Sequence, residues 1–291
     1  MSRQTRIGVA GLGLMGTALA ERLAGAGFGV LGFDIAPAKC AQFRDAGGEV
    51  AASATDLAGR SRAIVIAVYD GAQVETLLGE FEQGRSRPAL ICTTTCAPDE
   101  IVRIAACAAS TGFAFIEAPI SGTSAEVRDG AATALVAGET EALNTLLAVL
   151  CPRRIRVDRI GDASRTKLAI NLILQNNRAA LAEGIVFAER LGLDGRAFLA
   201  AAQQSAAYSR VMDTKGEKML SRDFRPQSHI AQTLKDAELI LHEARQRGLH
   251  LAITEAQADL LRAAIALEGP ERDSAAVIEA IRQRLSSEVV R

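Results

Sequence analysis

Gly11-Leu12-Gly13-Leu14-Met15-Gly16, entered from the apolar run Ile7-Gly8-Val9-Ala10, reads as a strand end, a glycine turn and the first turn of a helix. Glycines at this spacing suit a turn that carries a pyrophosphate. The first makes the tight bend, the second lets backbone N–H groups approach the phosphates, and the third lets the helix close on the strand. A glycine triplet alone also occurs in loops, so the flanks decide. Thr17 to Leu23 continues as an Ala/Leu helix, Gly25 and Gly27 close it, and Val30-Leu31-Gly32-Phe33 forms a second strand ending in Asp34. A carboxylate at that place accepts the ribose 2′- and 3′-hydroxyls of a dinucleotide.

The same alternation runs outward from this unit. Further apolar runs at 63–68, 89–93, 113–117, 132–137 and 154–158 read as strands, with helical stretches such as 37–46 and 72–80 between the early ones. Nearly continuous apolar strands alternating with helices imply a parallel sheet covered on both faces, with ligands at the carboxyl ends of the strands. Tyr69-Asp70, Thr94-Thr95 and Pro119 to Thr123 fall at those ends. After Gly161 the pattern becomes helical: a long segment over 163–191, then 195–207, 210–220, 227–247, 251–268 and 273–288. The expected organisation is an α/β Rossmann-type domain over 1–162 and an all-α domain over 163–291.

Composition excludes several classes of partner. With 33 basic and 34 acidic residues and no basic cluster, nothing attracts nucleic acid or an anionic membrane surface without sequence preference. No apolar stretch is long enough to span a bilayer, and no signal-peptide pattern opens the chain, so a cytoplasmic protein is expected. Cys40, Cys92, Cys96, Cys107 and Cys151 form an odd set without metal-type spacing and read as reduced thiols, with Cys96 kept open because it lies near the strand end at Thr95. His229, His242 and His250 show no metal spacing, and surface or capping roles are expected.

The second constellation is Gly161-Asp162-Ala163-Ser164-Arg165-Thr166-Lys167 followed by Asn171. Lys167 and Asn171 are four apart and share one helix face. Such a lysine either snorkels to solvent or is held against an apolar wall, where its ammonium is destabilised and suited to proton transfer. Asn171 can orient that lysine or a substrate group, or make an ordinary interhelical contact.

With these residues in view the chain resembles the β-hydroxyacid dehydrogenase family over essentially its whole length. The opening motif runs from Val9 to Ala20, and the substrate motif stands as Glu117-Ala118-Pro119-Ile120-Ser121-Gly122-Thr123. The catalytic pattern runs from Gly161 to Asn171 with Ala163 in place of the second glycine, and Leu234-Lys235-Asp236 matches the late Lys-Asp pair. The resemblance implies hydride transfer between a nicotinamide cofactor and a small anionic hydroxy acid or its semialdehyde. It implies Lys167 as general acid/base, Asn171 beside it, Ser121, Gly122 and Thr123 on the substrate, and Gly11 to Gly16, Asp34, Tyr69, Thr95 and Lys235 toward the cofactor. Lys235 can equally meet the substrate, or pair with Glu238 on its own helix. A homodimer or homotetramer is also implied; the cysteine and histidine spacings, for their part, lead to no metal being expected.

Two departures refine this. Asp34-Ile35 lacks the arginine common in NADP-preferring relatives, which favours NAD, with Lys39 able to reach a phosphate and NADP the alternative. Thr123 replaces a glycine and Glu126 stands where another is common, which makes the loop bulkier and more polar. A Thr-Ser pair here is similar to that of sulfolactaldehyde reductases, whose adjoining arginine is Gly122 in this chain. Thr123 and Ser124 are expected to contact extra oxygens on the substrate. Imine reductases share this architecture but usually lack the lysine and prefer NADPH, and a non-catalytic nucleotide-binding relative would also lack the lysine; Lys167 speaks against both.

Overall fold

The computed structural model describes residues 5–288, and the chain divides into two compact units, one up to Lys167 and one from Leu168. The first is built on β1 (Arg6–Ala10), α1 (Leu14–Gly25), β2 (Gly29–Phe33), α2 (Pro37–Asp45), β3 (Glu49–Val50), α3 (Ala54–Arg60), β4 (Ala63–Ile66), α4 (Gly71–Glu82), β5 (Ala89–Cys92), α5 (Pro98–Ser110) and β6 (Phe115–Glu117). The strands form one parallel sheet in the order β3-β2-β1-β4-β5-β6. Alternate residues of β4 show why its run is apolar throughout. Ala63 and Val65 enter the core layer that holds Leu19 and Leu23 of α1, whereas Ile64 and Ile66 enter the layer that holds Leu57 of α3 and Phe81 of α4. A strand covered on both faces has no solvent side for polar residues. The strand order reverses between β1 and β4, and the crevice at such a reversal is where ligands of open α/β sheets bind.

The expected strands at 132–137 and 154–158 belong to a second, smaller sheet. It contains β7 (Ile120–Ser121), β8 (Thr133–Val136) and β9 (Arg153–Arg156), with α6 (Ser124–Arg128) and α7 (Asn144–Leu150) between them. β7 and β8 are antiparallel because the chain folds back through α6 and Gly130, which has φ +70°. β9 pairs parallel to β8, and its Arg153, Arg154 and Arg156 place charge on an edge that would otherwise invite another strand.

α8 (Asp162–Arg190) runs through the division of the chain, which falls after Lys167, inside the helix rather than at its start. The second unit continues with α9 (Gly195–Gln203), a π-helical turn at Met212–Gly216, α10 (Glu217–Ser221), α11 (Ile230–Gln246), α12 (Ala252–Glu268) and α13 (Val277–Glu288). Its core gathers Ile185, Met219, Ile230, Leu241, Leu261 and Ile278. The expected helix at 195–207 ends early, at Gln203, whereas the one at 210–220 is present and widens in its middle. The widened turn carries Lys215, whose Nζ donates to Asp273 at 2.7 and 2.9 Å in the interior. Asp273 also accepts from the Gln227, Ser228 and Ala275 amides, so the buried carboxylate is fully used. Among the described residues no helix is long and apolar enough to cross a membrane.

Candidate active site

At the β1–α1 turn, Gly11 has φ +94°, and its amide donates to the Phe33 carbonyl at 2.8 Å. A Cβ at Gly16 would overlap the Gly11 carbonyl, so the helix can approach the strand this closely only without a side chain there. A Cβ at Gly13 would meet no atom within 4 Å, which leaves open space on the side of the turn that a phosphate needs. Gly13 caps α1 without a side-chain hydrogen bond, and the first helical turn, which begins with Leu14, Met15 and Gly16, holds no acid. The positive end of a 12-residue helix is therefore free for an anion. Asp34 stands beside it: Oδ2 accepts from the Leu12 amide at 2.7 Å and Oδ1 from the Ala36 amide at 2.8 Å. Lys39 lies 3.7 Å from the same carboxylate. These residues fit a dinucleotide. Gly16→Ala is expected to weaken dinucleotide binding about 100-fold, measured by fluorescence titration, because the turn must open to admit the methyl group.

Tyr69 is 42% exposed at the end of β4, and Asp70 beside it caps α4 by accepting from the Gln73 amide at 2.9 Å. In the β5–α5 loop, Thr94 is buried and braces Val68 through its hydroxyl, which leaves Thr95 as the partly exposed threonine of the pair. Cys96 is buried and its thiol donates to the Thr94 carbonyl, and burial pushes the Cys151 thiol up to about 11. Such thiols suit packing better than nucleophilic chemistry.

The loop after β7 differs from the sequence expectation in one respect. Thr123 caps α6: its hydroxyl accepts from the Glu126 amide at 3.2 Å, and its own amide donates to Glu126 Oε2 at 2.7 Å. This is a reciprocal capping box. The Thr123 amide, expected to face a substrate, is engaged inside the chain, its hydroxyl accepts there while keeping its own proton to donate, and Ser124 is buried. Gly122 is exposed with φ +147°, where a Cβ would press on Ala132, and Ser121 is partly exposed at the end of β7.

Glu117, at the end of β6, was not singled out in the sequence. Only 1% exposed, it accepts from the Gly161 amide at 2.6 Å, the Ser164 amide at 2.7 Å and the Ser164 hydroxyl at 2.6 Å. It thereby clamps the start of α8, one turn before Lys167. An acid closing an otherwise apolar strand run was the available signal. Lys167 is 5% exposed and so does not snorkel to solvent.

In the helical unit, Asn171 is buried and its Nδ2 donates to Asp236 Oδ2 at 2.9 Å. Because a carboxylate only accepts, this bond settles which end of the Asn171 amide faces it, and Oδ1 is left with no partner among the described residues. Lys235 pairs with Asp236 at 3.0 Å, while Glu238, the alternative expected on its own helix, pairs with Arg262 at 3.1 Å. Tyr208, for which the sequence suggested no partner, donates its hydroxyl to Asp213 at 2.6 Å. His229 stands at the N-cap position of α11 without a side-chain bond to the helix, and its Nδ1 donates to the Glu271 carbonyl at 2.8 Å.

Two family descriptions match the chain. One is the NAD-binding domain of 6-phosphogluconate dehydrogenase, over residues 6–153, and the other the NAD-binding region of NADP-dependent 3-hydroxyisobutyrate dehydrogenase, over 161–281. L-threonate dehydrogenase from Cupriavidus necator is 30% identical over 95% of this chain and 96% of that one. The chain belongs to the β-hydroxyacid dehydrogenase family. As a member it is an NAD(P)-dependent oxidoreductase of the CH–OH class. Another relative, 2-hydroxy-3-oxopropionate reductase from Escherichia coli K12, is 29% identical over 95% of this chain and 97% of its own. Among solved structures, 3-hydroxyisobutyrate dehydrogenase from Salmonella typhimurium matches with a TM-score of 0.85 at 25% identity, covering 95% of this chain and 99% of that one.

Proposed function

We propose that the chain is an NAD-dependent dehydrogenase interconverting a small anionic hydroxy acid and its semialdehyde, with Lys167 as general acid/base. The observation that carries this reading is the placement of Lys167 and Asn171, both buried, one turn apart on a helix whose start is clamped by Glu117. The nicotinamide nucleotide, when bound, supplies or accepts the hydride. Lys167 takes the proton from the substrate hydroxyl during oxidation and returns it to the carbonyl oxygen during reduction. Asn171, its amide nitrogen engaged by Asp236, offers Oδ1 as an acceptor to a further donor of the substrate, because the one proton of the reacting hydroxyl goes to Lys167. The Ser121 hydroxyl and the Gly122 amide hold the substrate carboxylate; the Thr123 amide joins them only when Glu126 lets go. Gly11 to Gly16 hold the pyrophosphate, Asp34 the adenosine ribose, and Tyr69, Thr95 and Lys235 the nicotinamide half.

Asp34 supports NAD over NADP, since its carboxylate accepts ribose hydroxyls and repels a 2′-phosphate. Lys39 is drawn to that carboxylate, which reduces its value to a phosphate. NADH is expected to bind about 100-fold more tightly than NADPH, and Asp34→Asn to bring the ratio below about 10, both read by fluorescence titration. The same reading makes the protein a cytoplasmic homodimer or homotetramer, supported by its buried free thiols and by the exposed Ile173 and Phe187 of α8. The direct experiment is a panel of hydroxy acids and semialdehydes followed through NADH and NADPH absorbance. Turnover of none of them would sink the proposal.

A further inference from the structure

Beyond Asn171, the same face of α8 continues with two polar residues to which the proposed reaction gives no task. Lys167, Asn171, Gln175 and Arg178 follow one another at intervals of four, four and three, which keeps them on one stripe. All are buried, Gln175 at 3% and Arg178 at 6% exposure. Such a stripe in a packed interior should have its hydrogen bonds satisfied, because each buried polar group taken from water without a partner is unfavourable. Here Asn171 Oδ1 and Gln175 Oε1 lack a donor, and Arg178 Nε and Nη1 lack an acceptor, among the described residues.

The charges of the helical unit sharpen the anomaly. Each buried carboxylate there has a cation of its own: Asp273 has Lys215 at 2.7 Å, Asp236 has Lys235 at 3.0 Å, and Glu279 has Arg282 at 2.9 Å together with Arg222. Arg178 makes no ion pair among the described residues. Burial pushes its guanidinium down to about 10, and Asp273 and Asp236 act on it only through the field, so it remains a cation at neutral pH. An unpaired buried cation is strongly unfavourable without a counter-charge. The stripe therefore asks for a molecule with hydroxyl donors at one end and an anionic group at the other.

We infer that Arg178 is a second anion-binding residue for the substrate, so that the chain acts on hydroxy acids bearing an additional carboxylate or similar anion away from the reacting carbon. This rests on the reading of Lys167 and Asn171 given above. It assigns to Arg178 an anionic share of the extra substrate oxygens expected at Thr123 and Ser124, where the Thr123 amide is held by Glu126 and Ser124 is buried.

The test compares 2-(hydroxymethyl)glutarate with its distal monoamide and with 3-hydroxyisobutyrate, which shares the reacting hydroxymethyl carbon and lacks the distal carboxylate. The wild-type enzyme is expected to favour the diacid over both by about 30-fold in kcat/KM. Arg178→Met is expected to bring both ratios near one, and Arg178→Lys to keep part of the preference. Wild-type ratios near one overturn the inference, whether or not the variants fold. So do unchanged ratios in an Arg178→Met protein that melts and binds NADH like wild type. Glutarate binding to the nucleotide-loaded protein, read by calorimetry, supplies an arm independent of turnover and is expected to weaken about 10-fold or more in Arg178→Lys or Arg178→Met. If no acid is turned over yet glutarate binding depends on Arg178, the reaction assignment falls and the anion site stands. Glutarate binding indifferent to Arg178 removes the site.

Discussion

Lys167→Ala is expected to lower kcat about 1,000-fold, the scale on which a positioned proton-transfer group contributes. NADH affinity should stay within about threefold of wild type, because the glycine turn and Asp34 hold the nucleotide without the lysine. The lysine has been brought out of water at the first full turn of α8, where its long side chain has few places to go. Methionine at the same position would preserve packing and remove the proton, so Lys167→Met separates chemistry from structure. Steady-state rates with the preferred acid, together with a melting curve, decide the matter. A variant that keeps most of its turnover would show that the proton moves elsewhere.

Glu117→Ala should cause the largest loss of stability, about 3 kcal/mol, or roughly 10 °C in the melting temperature of the unit that contains it. The carboxylate accepts three hydrogen bonds in the interior, two of them from amides at the start of α8, where it also opposes the positive end of the helix. Alanine leaves the Gly161 and Ser164 amides buried without acceptors. Glutamine should do less harm, since its oxygen can serve one donor, while its amide group would face another. Differential scanning calorimetry reads the stability, and turnover measured below the melting transition reads the placement of Lys167. An alanine variant within about 1 kcal/mol of wild type would mean that water replaces the carboxylate at this helix end.

The parts of the site legible in the sequence are those made by neighbours along the chain. The glycine turn, the helix after it and the acid at the end of β2 are one local unit, and φ +94° at Gly11 is a requirement of the turn itself. Lys167 and Asn171 share a face because they share a helix. The Thr123–Glu126 capping box was equally local and could have been read from its spacing. Thr123 and Glu126 stand three apart at the start of a helix, and in that place they serve the backbone of α6.

Other features depend on contacts between residues far apart. The second sheet arises because α6 and Gly130 return the chain onto β7, which no strand pattern announces. Glu117 meets its donors 44 and 47 residues later, and Asn171 meets Asp236 at a separation of 65. Arg178 reads in the sequence as a charge on a long helix, and burial alone makes its lack of a partner costly. The sequence by itself determined the nucleotide turn, the βαβ order and the helical face bearing Lys167, because period and turn chemistry act over a few residues. The tertiary structure decided what holds that face in place and which of its charges lacks a partner, because burial and pairing arise only when distant segments share one interior.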